Sequence, residues 1–146
     1  MAIQKPIVLI NGELSQLPVG DILVGDQSTN VTVPNSEGLS AGDFVNLYKD
    51  SGITYARKAS AQSGDREANG YVLQASLSGN IAQVFLEGIN TAVVGMSIGS
   101  VWLSTTNPGG VQDNPPVTGS FLCQEIGIAT SSTKINFLAG TAVMLS

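Results

Sequence analysis

From Asp43 to the C-terminus, short runs of β-branched and aromatic residues recur about every ten residues, each closed by Gly, Pro, Asn or Asp. Regular strand spacing with turn signals points to an antiparallel all-β chain, either closed on itself or built as two packed sheets. The C-terminal part shows this best. There Val101-Trp102-Leu103-Ser104, the turn Asn107-Pro108-Gly109-Gly110, Pro115-Pro116, the run Cys123 to Ala129 and the run Lys134 to Phe137 follow one another.

Two hairpins are legible upstream. Phe44 to Lys49 and Ile53 to Lys58 flank Asp50-Ser51-Gly52, a Gly-containing reversal of the hairpin type. Gly70 to Ala75 and Ile81 to Gly88 flank Leu77-Ser78-Gly79-Asn80. Val84-Phe85-Leu86 is continuously apolar, which predicts burial on both faces of its strand. Residues 59–69 are small and polar and read as a surface loop with one short helical turn.

The 146 residues suffice for one domain, because a chain of this length buries roughly 70% of its unfolded surface. With 17 Gly, 6 Pro and 12% charged residues the chain is turn-rich without being low-complexity. The expected fold is a compact antiparallel β-barrel or jelly-roll-like sandwich preceded by an extended N-terminal arm. We place the arm and linker at residues 1–38 and the β-domain at residues 39–146, because Gly, Asp, Ser, Thr, Asn and Pro crowd positions 25–42, interrupted by Asn30 to Pro34, a short alternating strand bounded by turn formers.

Composition removes several classes of function. A net charge of -5 opposes binding to nucleic acid, whose backbone is held by clustered Lys and Arg. Apolar runs such as Ile7 to Ile10 fall far short of the roughly 20 residues of a spanning helix, so no membrane partner is expected. The chain has no His, which excludes Ser-His, Cys-His and His-based zinc chemistry. Asp21, Asp26, Asp43 and Asp50 lack the order of a calcium loop and read as turn residues, Asp65-Arg66-Glu67 reads as a solvated tip, and no cofactor is expected. Cys123 reads as a small buried apolar residue, and Trp102, Tyr48, Tyr55 and Tyr71 as core or rim packing.

The arm is the segment least able to bury its own apolar side chains. Pro6 to Ile10 forms a strand ended by Asn11-Gly12, and Leu14 to Val24 is broken for helix by Pro18 and Gly20. Ile7, Leu9, Leu14, Leu17, Ile22 and Leu23 are therefore the candidate partner contacts.

Three groups of residues resemble the small virion structural proteins of tailed bacteriophages, of the capsid decoration (cement) or head- and tail-fibre type. They are Pro6 to Gly12 with Gln16 to Asp21; Gly42 to Lys58 with Ala68 to Leu73; and Phe85 to Val93, Gly99 to Ser104, Pro108 to Val111 and Ile126 to Ala129. The resemblance implies a non-enzymatic β-module on the outer surface of the capsid, assembled in the host cytoplasm. It also implies the major capsid protein as partner, an arm that grips a neighbour, and a homo-oligomer, a trimer before a dimer. The alternative it leaves is a receptor- or glycan-binding fibre module that recognises its ligand through loops 59–69 and 105–119.

Overall fold

The computed structural model describes residues 7–10, 13–16 and 30–146 of the chain. In chain order the strands are β1 (Ile7–Ile10), β2 (Glu13–Gln16), β3 (Asn30–Pro34), β4 (Phe44–Asp50), β5 (Ile53–Lys58), β6 (Gly70–Tyr71) and β7 (Ile81–Phe85). They are followed by β8 (Gly88–Asn90), β9 (Gly99–Leu103), β10 (Val111–Gln112), β11 (Leu122–Cys123), β12 (Glu125–Ser131), β13 (Lys134–Phe137) and β14 (Val143–Met144). Among the described residues there is no helix.

The fold is all-β and antiparallel, as the strand spacing predicts. One five-stranded sheet has the order β3-β7-β6-β4-β5 and a second the order β10-β9-β12-β13-β8, while β11-β14 and β1-β2 form two-stranded sheets. The arrangement is a sandwich, with no closed barrel among the described residues. The nearest approach to closure lies across the ends of the first sheet, where Asn35 and Ala56 make one parallel bridge and the Ser36 N–H donates to the Ala56 carbonyl at 2.9 Å.

The β4–β5 hairpin forms with Asp50 opposite Ile53. Ser51 and Gly52 both take positive φ, 51° and 82°, the geometry that lets a two-residue turn follow the twist of its strands. The second expected hairpin is shorter than its sequence suggests, since β6 meets β7 only at Tyr71 and Phe85. Most of β7 pairs instead with β3, from Asn30 opposite Phe85 to Pro34 opposite Ile81. The short alternating run Asn30–Pro34 is thus a strand, as its sequence predicts, and forms an edge of the first sheet.

The first sheet is buried on one face and, around Phe44 and Tyr71, on the other, while Thr32, Ile81 and Gln83 stay exposed. Val33, Val45, Ala56, Val72, Ala82 and Val84 form a cluster on one side. Phe44 and Tyr71 face the other side and meet Val101, Leu103, Ile126, Ile135 and Phe137 of the second sheet. Val84 belongs to the former cluster and Phe85 packs against the latter, as the continuous apolar run predicts. Burying such side chains contributes about 1.5–3 kcal/mol each, which makes this inter-sheet layer the principal source of stability.

Candidate functional site

Of the six candidate contact residues, Ile7 and Leu9 lie on β1 and Leu14 on β2, whereas Leu17, Ile22 and Leu23 lie outside the described residues. Ile7 stands opposite Gln16 and Leu9 opposite Leu14. β1 and β2 therefore pair as a two-stranded antiparallel ribbon. Among the described residues its strands pair only with each other.

The loop at 59–69 is not the free surface loop that its composition implies. Ala59, Ala61 and Ala68 are buried in the inter-sheet core, and no helical turn forms. Asn46 anchors the loop from β4, donating to the Glu67 carbonyl at 2.9 Å and to Asn69 Oδ1 at 3.2 Å. Arg57 donates through Nε to Asn46 Oδ1 at 2.9 Å, and through Nη2 to the Asp65 carbonyl at 2.9 Å and carboxylate at 3.1 Å. Its guanidinium also lies 4.3 Å from the centre of the Tyr48 ring, which pairs across the strands with Tyr55. The Arg57 hydrogen bond holds the exposed Asp65 carboxyl below its ordinary pKa.

Two further ion pairs lie near this loop. Lys58 Nζ lies 3.6 Å from Asp43, and Arg66 Nη2 lies 3.4 Å from Glu37. Arg57 and Lys58 thus hold the loop and the entry to β4 in place. These are structural tasks: every buried side-chain nitrogen or oxygen among the described residues has a hydrogen-bond partner.

A groove of about 580 Å³ runs between loop 64–69 and the C-terminal segment. At its base Gln124 accepts from the Ala68 N–H at 2.7 Å and donates to the Ala68 and Gly140 carbonyls at 3.0 and 3.2 Å. The amide is saturated by the fold and presents nothing to a ligand. Cys123 beside it is a free thiol and is half-buried, rather than buried as its strand setting suggests. Among the described residues no three acidic or cysteine side chains come together as a metal site would require.

One surface is not singled out by the sequence. On the second sheet Val101, Leu103, Ile126, Ala129, Ile135 and Phe137 are buried, so the alternate positions face outward. Ile89 and Ile128 are exposed there at 51% and 45%, and Trp102, half-buried, shares the face. The alternation Val101-Trp102-Leu103 is the available signal for that orientation, since both neighbours of Trp102 face the core.

No protein-family model matches the chain, and no curated protein matches it significantly.

Proposed function

We propose that this chain is a non-enzymatic capsid decoration (cement) protein of a tailed bacteriophage, carried on the outer surface of the head. The observation that carries the reading is the N-terminal ribbon. A lone two-stranded ribbon is marginal in water and gains stability when it packs against a further surface. One whose strands contain Ile7, Val8, Leu9, Ile10 and Leu14 is suited to strand addition to the subunits of a partner. The partner is the major capsid protein. The two-sheet body then bridges the boundary between adjacent capsid subunits and resists outward pressure from packaged DNA.

The test compares the full chain with a chain lacking residues 1–24 for co-sedimentation with heads that lack the protein. The proposal expects saturable binding of the full chain at a copy number matching the lattice, and no binding of a truncated chain whose circular dichroism is still that of a folded β-protein. Binding by the truncated chain would mean that the arm is not the contact element. Failure of the full chain to bind heads would remove the decoration role, and binding to host cells instead would favour a fibre module.

A further inference from the structure

The outer face of the second sheet carries a pattern that matches itself under a half-turn. Its five strands, β8, β9, β10, β12 and β13, contain two charged residues, Glu125 and Lys134. The pairing register sets Ser100, Ile128, Asn136 and Ile89 in one row across β9, β12, β13 and β8. Glu125, opposite Trp102, lies on one side of that row. Lys134, opposite Ser131, lies on the other side. Both charged residues are exposed, and Ile128 and Ile89 stand between them on the row.

We infer that this face is a self-association surface, on which a second copy of the chain packs sheet against sheet about a two-fold axis lying along the row. Such an axis puts Ile128 and Ile89 against their own counterparts. It carries the end of the sheet that bears Glu125 onto the end of the other copy that bears Lys134. The two charges sit on adjacent strands, so they are offset by one strand spacing, about 4.8 Å, which the lysine stem spans. An isologous contact must be complementary to itself, and each such pairing forms two Glu125–Lys134 contacts at once. A partner of uniform charge would be repelled at one end of the face. A second copy is attracted at both.

Size sets the expected strength. The strands cover a footprint of about 400 Å² per copy, estimated from strand spacing and rise. That is near half of the roughly 800 Å² per partner in a standard stable complex. The dimer should accordingly be reversible, with a dissociation constant in the micromolar range or weaker. This inference does not rest on the capsid reading, because it concerns the isolated chain in solution.

Sedimentation velocity on the full chain, from about 1 μM to about 1 mM, tests it. The wild type should pass from monomer to dimer, and the dimer should weaken when salt is raised from about 0.05 M to about 0.5 M. Glu125→Lys and Lys134→Glu should each weaken association about tenfold or more, because each replaces two attractions by two repulsions. The double variant Glu125→Lys with Lys134→Glu should recover the wild-type constant to within about threefold. A monomer at every concentration, a trimer, a salt-independent dimer, or a double variant as weak as the single ones overturns the inference. The salt series on the wild type decides the matter even if a variant fails to fold.

Discussion

Phe44 at the start of β4 and Phe137 at the end of β13 hold their ring centroids 5.7 Å apart, with the planes inclined at 38°. Each ring comes from a different five-stranded sheet, and Tyr71 packs against both, at 6.2 and 5.7 Å. This aromatic trio is the centre of the sandwich and fixes how the two sheets face each other.

Phe44→Ala should therefore cost about 3–5 kcal/mol, the range for removing a fully buried aromatic ring. Urea unfolding followed by intrinsic fluorescence measures it. A loss below about 1 kcal/mol would mean that the sheets are held together elsewhere.

Gln124 makes a different kind of link, with its side-chain amide closing on both backbone groups of Ala68. Gln124→Leu keeps the bulk but leaves the Ala68 N–H and carbonyl unpaired, at an expected cost of about 1–3 kcal/mol. Native-state hydrogen exchange should show faster opening of residues 60–69 than in the wild type. Unchanged protection there would contradict the anchoring role of this amide.

The bulge in β12 has a stringent requirement at Gly127, where φ is +150° and an added Cβ would collide with the Asn136 carbonyl. Gly127→Ala should destabilise the protein by about 3 kcal/mol or more, because the clash is with backbone and cannot be relieved by a rotamer change. Thermal melting is the check, and a variant that melts like the wild type would show that β12 tolerates a flat register.

Tyr71 gives the fold a pH signature at the alkaline end. Burial raises its phenol above the ordinary value near 10, so the folded state holds the proton more tightly than the unfolded state does. The sign follows: this contribution is fully present below the unfolded pKa and is lost as pH rises through the raised one. Tyr71→Phe, which also removes the hydrogen bond to the Glu87 carbonyl at 3.2 Å, should lose about 1 kcal/mol at neutral pH. It should also fall less steeply than the wild type toward about pH 11. Equal slopes in chemical unfolding at alkaline pH would contradict the assignment.

Local turn chemistry was legible, and long-range pairing was not. The β4–β5 hairpin could be read because Ser51 and Gly52 mark the reversal and the partners adjoin it. Strand β3 was legible as the alternating run Asn30 to Pro34, but its pairing was not, because its partner β7 lies far along the chain. The burial of Ala59, Ala61 and Ala68 was equally hidden, since alanine is small enough to fit a packed layer while its neighbours Ser63, Asp65 and Glu67 make the segment read as polar. At the ribbon the apolar content of β1 and β2 was visible in the sequence. Which of its residues stand opposite one another depended on the register, which sets Leu9 opposite Leu14.

In the proposed function everything turns on the N-terminal ribbon, which attaches the two-sheet body to a phage head. Quantitative sedimentation with heads that lack the protein gives the bound copy number of full-length and arm-deleted chains. Lattice-matched saturation is expected for the full chain and none for the folded truncation. Equal binding by the two, or no binding by either, would contradict the proposal.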